Sequence, residues 1–385
     1  MQYRTFPKIP NCQVSALGFG TMRLPLLSKD SSHIDYETTT AMCKFAYEAG
    51  VNYFDTAYPY HQGKSEIALG KALAQLGIRD KIYIADKCPP WKIEKEDDFA
   101  IILEEQLQRL GTDYIDFYLL HALNADSWKK MKNLQALTHL EEAKAKGKIR
   151  HIGFSFHGSI STFKEIIDSY DNWEFCQIQY NYLDENWQAG TEGLHYAATK
   201  NLGVVVMEPL RGGLLANPPK GIRDIFAHTD VPRLPSEWGL RWVWEHQEVS
   251  VALSGMSTID QMITNCATAT TATPNSLPSS QLKVIEKARD WFQSRIKAPC
   301  TGCKYCLPCP QGVLIPDVFA EYNRLSMNGC FENNNSEKVF SEKYKEMRNN
   351  KQSGNYCISC GKCELACPQH IKIRDILKQA DKILM

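Results

Sequence analysis

The sequence contains no apolar run of the roughly 18 residues that a helix needs to cross a bilayer. It carries no net charge either, because 44 Lys and Arg residues balance 44 Asp and Glu residues. A neutral chain gives no reason to expect a nucleic acid or an anionic membrane surface as its partner. Residues 1–12 contain Lys and Pro but no apolar core, so we expect no secretory signal. Together these absences predict a cytoplasmic protein.

Cysteine, by contrast, is abundant, with 14 residues in the chain. Cytoplasmic thiols stay reduced, so metal ligation is a better interpretation than disulfide bonds. Two runs of cysteines lie near the carboxyl end, Cys300-x2-Cys303-x2-Cys306-x2-Cys309-Pro310 and Cys357-x2-Cys360-x2-Cys363-x3-Cys367-Pro368. The second spacing is typical of cubane iron–sulfur clusters, and the first is one residue shorter between its last two cysteines. Two zinc sites with four cysteines each are the alternative, although closely packed cysteines followed by Pro favour iron–sulfur clusters.

Residues 14–269 alternate short apolar runs with longer helical ones. The strand-like runs are Ser15–Gly20, Asn52–Thr56, Ile82–Lys87, Ile115–His121, Ile149–Phe156, Phe175–Tyr180, Gly203–Glu208 and Val251–Gly255. One unit spans roughly 28 to 35 residues, which is the length of a βα repeat. Eight such units predict an α/β fold, a (β/α)8 TIM barrel. A doubly wound open sheet is the runner-up, and the lack of a GxGxxG motif after the first strand counts against it.

Further segments flank the predicted barrel. Tyr3–Ile9 and Cys12–Ala16 surround Pro10-Asn11 and predict a hairpin that plugs the bottom of the barrel. On the other side, residues 268–280 are rich in Thr, Ser and Pro and predict a linker. We therefore expect a barrel domain at 1–280 and an α-rich, cysteine-rich domain at 281–385.

Ionisable residues end successive predicted strands at Asp55, Lys87 and His121, and a loop brings Tyr60. The carboxyl ends of barrel strands share one rim, so we expect these side chains to meet there. An ammonium favours the phenolate of a nearby Tyr, a carboxylate holds the ammonium in place, and a neutral imidazole orients a carbonyl oxygen. Taken singly, each residue is more often a cap, a surface charge or a core residue. Their joint position predicts a proton-donating site.

With these residues in place, the barrel segment resembles the aldo/keto reductases over nearly all of residues 1–270. The resemblance is carried by Gly18-Phe19-Gly20-Thr21-Met22, Asp55-Thr56-Ala57 with Tyr60, Ser65-Glu66, Lys87, Leu119-Leu120-His121, Gly153-Phe154-Ser155 and Gln177-Ile178. It implies that Tyr60 is the general acid, that Lys87 and Asp55 make the phenol more acidic, and that His121 orients the substrate. It also implies that NADPH or NADH lies across the same rim. The expected cofactor contacts are Gly20, Thr21, Met22, Ser155, Gln177, Met207, Leu210, Arg211, Gly212 and Asn265.

Several positions depart from the family pattern. Met207 stands where a Tyr usually stacks on the nicotinamide, and Phe156 replaces the Asn that commonly follows Ser155. Gly255 and Gln261 occupy the places of the Lys and Arg that bind the adenosine 2′-phosphate. A phosphate without cationic partners loses its charge-assisted hydrogen bonds. We therefore predict weak or no preference for NADPH over NADH.

The cysteine runs resemble dicluster ferredoxins, which implies two [4Fe–4S] clusters with exchanged fourth ligands. One cluster would take Cys300, Cys303, Cys306 and Cys367, and the other Cys357, Cys360, Cys363 and Cys309. The whole chain thus resembles the aldo/keto reductases that carry a ferredoxin-type carboxyl-terminal domain.

This resemblance implies an NAD(P)H-dependent reductase of a small carbonyl, or a dehydrogenase of the corresponding alcohol, with an electron-transfer partner protein as a further expectation. A nicotinamide gives up two electrons as hydride, whereas each cluster moves one, and no flavin signature is visible to link them. An electron-transfer protein whose barrel binds a partner or another redox ligand, without hydride chemistry, stays open as the alternative.

Overall fold

The computed structural model describes residues 1–331 and 339–385. The strands in these ranges are β1 Tyr3–Phe6, β2 Ile9–Ser15, β3 Leu17–Gly20, β4 Tyr53–Asp55, β5 Tyr83–Cys88, β6 Ile115–Leu123, β7 Ile149–Phe156, β8 Phe175–Gln179, β9 Gly203–Met207 and β10 Val249–Ser254. The helices are α1 Tyr36–Glu48, α2 Ser65–Leu76, α3 Asp98–Leu110, α4 Ala125–Asn133, α5 Ala136–Ala145, α6 Ile160–Asp168, α7 Gly190–Thr199, α8 Lys220–Ala227, α9 Pro235–Glu245, α10 Ile259–Thr271, α11 Ser279–Gln293, α12 Ile315–Met327, α13 Glu342–Asn349, α14 Lys362–Leu365 and α15 Ile373–Ile383. None of these helices combines the length and the apolar character that a membrane span requires.

Strands β3 to β10 close into a parallel barrel in the order β10-β3-β4-β5-β6-β7-β8-β9. The predicted TIM barrel is therefore confirmed, and the open sheet is wrong. Strand β7 has the predicted bounds, Ile149–Phe156. The first predicted strand, Ser15–Gly20, is wrong as a single strand, because Ser15 ends β2 and β3 begins at Leu17. The Ser15 hydroxyl donates to the Leu17 carbonyl oxygen at 2.7 Å, which satisfies a backbone acceptor across this break.

The amino-terminal hairpin turns at a different place from the predicted one. Phe6 pairs with Ile9, so the turn lies at Pro7-Lys8 and the prediction of Pro10-Asn11 is wrong. Pro7 suits a turn because its φ is already fixed near the value that the turn requires. Pro10 is tolerated inside β2 because β1 and β2 form a two-stranded sheet whose outer edges need no ladder donor.

The hairpin covers the bottom of the barrel, as the sequence predicts. The ring of Phe6 lies 5.2 Å from that of Phe117 in an edge-on arrangement and 5.8 Å from that of Phe175 in a stacked one. Gly203 makes room for this ring, since a Cβ there would lie 2.5 Å from Phe6 atoms. Aromatic packing thus fills the amino end of the barrel, and chemistry belongs at the opposite rim.

The structure divides into two compact units. The first, comprising Met1–Pro209 and Ser236–Leu277, contains the barrel, and the second comprises Leu210–Pro235 and Pro278–Met385. The predicted linker at 268–280 is wrong for its first residues, because α10 continues to Thr271.

The described part of the second unit has an internal repeat. Helix α12 begins at Ile315, six residues after Cys309, and α15 begins at Ile373, six residues after Cys367. Both helices bury apolar side chains in one small core, including Phe319 of α12 and Leu377 of α15. This core positions the cysteine loops that precede each helix.

Candidate functional site

Strands β4, β5 and β6 are neighbours in the barrel, and each carries one predicted catalytic residue at its carboxyl end. Asp55 ends β4, Lys87 is the last residue but one of β5, and His121 lies near the end of β6. All are buried, with exposed fractions of 2%, 1% and 4% respectively. Parallel strands in register bring these ends to one rim, as the sequence predicts.

Lys87 and Asp55 form a buried ion pair. The Lys87 Nζ donates to both carboxylate oxygens of Asp55 at 2.8 Å and to the carbonyl oxygen of Thr56 at 2.7 Å. Burial raises the pKa of Asp55, and the neighbouring Lys87 ammonium limits the rise. The three bonds use every proton of the ammonium, so this charge is held at a fixed point.

Tyr60 stands next to that charge. It begins the short 3-10 turn Tyr60–Gly63, and its half-buried ring has its centroid 5.1 Å from the Lys87 Nζ. The same ring lies 6.2 Å from the imidazole of His121, at an interplanar angle of 81°. The structure therefore brings Asp55, Tyr60, Lys87 and His121 together.

The surroundings of His121 favour its neutral form. Burial, then the Lys87 ammonium and His157, lower the pKa of His121 well below its usual range. Its Nδ1 has no hydrogen-bond partner among the described residues. The indole of Trp91, half exposed, lies 5.2 Å from the imidazole. A neutral imidazole beside an aromatic wall can hold a carbonyl oxygen without competing for the proton.

Sequence reasoning missed a carboxyl pair behind the site. Asp86 and Glu66 are fully buried, and the Lys87 backbone N–H donates to Asp86 Oδ1 at 2.8 Å. Gln106 and Arg109 donate to the two oxygens of Glu66 at 3.0 and 2.7 Å. Burial, then the nearby Glu66 carboxylate, raise the pKa of Asp86 well above its usual range. The available signal was a carboxylate adjacent to Lys87, on the opposite face of the same strand.

Several predicted cofactor residues lie at the same rim. Gly20 ends β3, and Thr21 and Met22 form the 3-10 turn Thr21–Arg23 that follows it. Thr21 Oγ1 donates to the carbonyl oxygen of Asp55 at 2.9 Å. This bond ties the turn to the end of β4.

Other cofactor candidates come from later strands of the barrel. Ser155 in β7 accepts a hydrogen bond from the Ala122 N–H at 2.7 Å. Gln177 in β8 is buried, and its Oε1 has no hydrogen-bond partner in the described part of the chain. Met207 ends β9, and Asn265 in α10 donates to Ser254 Oγ at 3.1 Å. Gln177 therefore offers an acceptor that a carboxamide N–H could satisfy.

The remaining predicted cofactor contacts lie in the second unit, and the first unit holds a cation that was not predicted. Leu210, Arg211 and Gly212 belong to the second unit, where Arg211 begins the 3-10 turn Arg211–Gly213, and their role stays a prediction. In the first unit, the stem of Arg23 lies against Gly255, since a Cβ there would be 3.3 Å from Arg23 Cγ. Sequence reasoning missed this cation, which lies far from Gly255 along the chain.

Each cysteine run contributes to two cavities of the second unit. One cavity is lined by Cys300, Cys303, Cys306 and Cys367. The other is lined by Cys309, Cys357, Cys360 and Cys363, and Cys306 also reaches it. Both sets are those implied by the dicluster resemblance, with the fourth cysteine exchanged between runs.

The surroundings of these cavities suit an anionic cluster. Their described lining residues include the cations Lys304, Lys362 and Arg374 and no carboxylate. Backbone N–H groups of Gly302 and Ser359 donate to the sulfurs of Cys300 and Cys357, each at 3.4 Å. Hydrogen bonds to sulfur set cluster potentials. Within residues 1–331 and 339–385, no three His, Cys, Asp or Glu side chains are arranged to hold a single ion, so the fit rests on the shared cavity lining.

Comparisons with known proteins match both parts of the chain. Residues 16–289 match the model of the aldo/keto reductase family, and residues 299–371 match that of a 4Fe-4S dicluster domain. The chain is 27% identical to an L-galactose dehydrogenase of Arabidopsis thaliana, over 71% of this chain and 90% of that protein. It is also 27% identical to a methylglyoxal reductase of Escherichia coli, over 75% of this chain and 95% of that protein.

A solved structure gives the same result. The holo form of the aldo-keto reductase AKR11C1 from Bacillus halodurans is 28% identical, with a TM-score of 0.63, over 75% of this chain and 96% of that one. The chain belongs to the aldo/keto reductase family. It is an oxidoreductase of that family and carries a carboxyl-terminal 4Fe-4S dicluster domain.

Proposed function

We propose that the barrel catalyses NAD(P)H-dependent reduction of a small carbonyl compound to its alcohol, or the reverse oxidation. The observation that carries this proposal is the buried Lys87–Asp55 pair, with its ammonium 5.1 Å from the ring centroid of Tyr60. The pair provides the fixed positive charge that a phenol needs to act as an acid near neutral pH. Small-molecule carbonyls and alcohols are the substrates that this chemistry accepts.

The residues divide the work as follows. A nicotinamide held at this rim would supply the hydride that the carbonyl carbon takes up. Tyr60 gives its proton to the carbonyl oxygen, so that the product is a neutral alcohol and the residue is left as phenolate. Lys87 stabilises that phenolate, and Asp55 keeps the ammonium in place. His121, neutral and buried, holds the carbonyl oxygen, and solvent returns the proton to the half-buried phenol.

Residues at the same rim would hold the nicotinamide. In the described structure the unpartnered Gln177 Oε1 fits the carboxamide N–H2, and Ser155 lies on the neighbouring strand β7. Asn265 in α10 is proposed as a contact of the adenine. Gly255 and Gln261 offer no cation to a 2′-phosphate, and the Gln261 Oε1 already accepts from the Ser257 N–H at 2.8 Å. We keep the proposal of weak or no NADPH preference, with Arg23 as the cation that could oppose it.

In the second unit, we propose that the eight cysteines lining the two cavities bind two [4Fe–4S] clusters, each moving one electron. An external electron-transfer protein is the expected partner of such centres.

Substitution of Tyr60 by Phe tests the proposal. Phe keeps the ring but has no proton to give, so we expect NAD(P)H-linked carbonyl reduction to fall by about 10²- to 10⁴-fold. The anaerobically purified variant should keep its iron content and cluster absorbance. A Tyr60→Phe protein that reduces carbonyls as fast as the wild type would refute the assignment. Michaelis constants for NADH and NADPH, measured on the same wild-type sample, test the cofactor preference.

The electron-transfer alternative is favoured by one observation. The ring of Phe156 packs at 5.1 Å from that of Phe163, so this position serves the core and not a nicotinamide. Titration of the purified protein with NADH and NADPH discriminates between the two functions. Absence of binding to either nicotinamide would favour the alternative.

A further inference from the structure

His61, the residue after Tyr60, has a backbone conformation that its side chain makes unfavourable. Its φ is 51°, and Gln62 follows with a φ of 56°. These values lie in the left-handed region, which residues other than Gly adopt uncommonly, with Asn, Asp and His the most frequent among them. The conformation still costs free energy at a residue other than Gly, and contacts of the His61 side chain offset that cost.

The imidazole of His61 makes two such contacts, and it is buried. The backbone N–H of Leu24 donates to Nε2 at 3.1 Å, and Nδ1 lies 2.7 Å from the carbonyl oxygen of Ser31. An amide N–H can only donate and a carbonyl can only accept, so Nε2 is the acceptor and Nδ1 carries the proton. Burial lowers the pKa of His61 below its usual value, which agrees with this neutral form.

These contacts join the turn of Tyr60 to another part of the rim. Leu24 directly follows the turn Thr21–Arg23, in which two of the predicted nicotinamide contacts lie. Gln62 reinforces the attachment, since its Nε2 donates to Asp30 Oδ1 at 2.9 Å and to Ser31 Oγ at 3.1 Å. His61 and Gln62 therefore attach the chain after Tyr60 to residues 24–31, which follow the Thr21–Arg23 turn.

A second attachment lies at the start of α2. Ser65 Oγ is 2.7 Å from Thr21 Oγ1 and 2.9 Å from Thr56 Oγ1, and all three residues are fully buried. The short segment between Thr56 and Ser65, which carries Tyr60, is thus held to the Thr21–Arg23 turn both by His61 and at its carboxyl end.

We propose that His61 is a positioning residue that holds the phenol of Tyr60 in register with the Thr21–Arg23 turn. The inference rests on the proposed function, because that turn is expected to lie beside the nicotinamide and Tyr60 to protonate the carbonyl. Hydride and proton must arrive at adjacent atoms of one substrate. An attachment between the two turns keeps that geometry, and a misplacement of 1 Å is enough to cost about 100-fold in rate.

Three substitutions dissect the attachment. His61→Gly takes the left-handed backbone without strain but removes both hydrogen bonds. His61→Asn places an amide donor where Nδ1 is, so it can keep the bond to Ser31, and His61→Gln places an acceptor where Nε2 is, so it can keep the bond to Leu24. We expect kcat to fall about 10- to 100-fold in His61→Gly, with a smaller change in KM for the carbonyl, and to recover most in His61→Gln.

Asn201→Gly is the matched control. Asn201 has a φ of 56° and lies between α7 and the amino end of β9, so its replacement places a Gly in the same left-handed backbone conformation away from the rim. We expect its kcat to equal that of the wild type. Hydrogen–deuterium exchange of the Leu24 amide gives a readout without turnover, with faster exchange in His61→Gly and His61→Asn than in His61→Gln.

The two hypotheses fail in different ways. If wild-type activity is insensitive to Tyr60→Phe, the proposed function is overturned, and with it the role of His61 in that reaction. If Tyr60→Phe abolishes activity but His61→Gly keeps its kcat while the Leu24 amide exchanges faster, only the positioning role of His61 is overturned. Equal loss of kcat in Asn201→Gly would also overturn it, because the added backbone freedom of a Gly at a left-handed position would then explain the effect.

Discussion

The barrel rim and the cysteine cavities differ in how far their charged or ligating side chains are buried and in what surrounds them. At the rim, Lys87 and Asp55 are almost completely buried and neutralise each other within 2.8 Å. At the cavities, the cysteines are mostly part-exposed, Cys360 is exposed, and cations such as Lys362 stand around them. Burial strengthens the effect of a fixed charge on a neighbouring proton donor, whereas solvent exposure of the sulfurs is one of the factors that set the potential of an iron–sulfur cluster.

The two regions also differ in what holds them in place. Asp55, Lys87 and His121 lie on three successive strands, and the closed sheet sets their relative positions. The cysteines lie on loops, and metal binding to such loops supplies folding energy directly. We therefore expect the first region to be preorganised and the second to depend on its metal.

The largest effect should come from breaking the ion pair at the rim. Lys87→Met removes the charge beside Tyr60 and leaves the buried Asp55 unpaired. We expect carbonyl reduction to fall about 10²- to 10⁴-fold and the free energy of unfolding to drop by roughly 3 to 5 kcal/mol. Steady-state kinetics and denaturant unfolding measure the two effects.

Lys44→Met is the control for that prediction. Lys44 pairs with Glu48 at 2.9 Å on the surface of α1, with both side chains more than half exposed. Such a pair contributes little, so both measurements should stay at wild-type values. Equal losses in the two variants would show that the burial of Lys87 does not matter.

Substitution of a cysteine that lines a cavity should change the metal content strongly and the activity little. Cys303→Ser removes one ligand of one predicted cluster, so we expect about four of eight iron atoms per chain to be lost. The rate of NAD(P)H-linked reduction should not change, because hydride transfer needs no one-electron carrier. Cys330→Ser is the control, since Cys330 lines neither cavity in the described structure. Full iron content in Cys303→Ser would contradict the ligand set.

The smallest effect that we expect is on stability and comes from Asp86, which lies on the opposite face of β5 from Lys87. Its pKa is raised in the folded protein, so between the unfolded value near 4 and the folded one the native state holds a proton that the unfolded state has released. The wild type therefore loses stability as pH rises through that window, by up to about 1.4 kcal/mol per pH unit.

Asp86→Asn has no such proton and keeps the acceptor for the Lys87 N–H. As pH rises from 4 toward 7, we expect the unfolding free energy of the variant to increase relative to that of the wild type. The exposed Asp113→Asn serves as the control and should follow the wild type at every pH. Parallel stability curves for Asp86→Asn and the wild type would show that Asp86 is ionised in the fold.

Sequence patterns predicted the barrel closely where the apolar runs were long and bounded, as in Ile149–Phe156. They were wrong at the hairpin, because Pro7 and Pro10 both suit a turn and only the pairing of Phe6 with Ile9 decides between them. They missed the Asp86–Glu66 pair, because a carboxylate on the outer face of a strand looks like a solvated charge until a helix covers it.

By itself, the sequence determined which functional residues are present. These are Asp55, Lys87 and His121 at strand ends, Tyr60 on the loop after Asp55, and eight cysteines at cluster spacing. These follow from local periodicity and residue chemistry. What only the tertiary structure decided was which distant groups touch: the Leu24 amide on His61, and Arg109 on Glu66. The reason is physical, since burial and pairing depend on neighbours that the linear order of the chain does not specify.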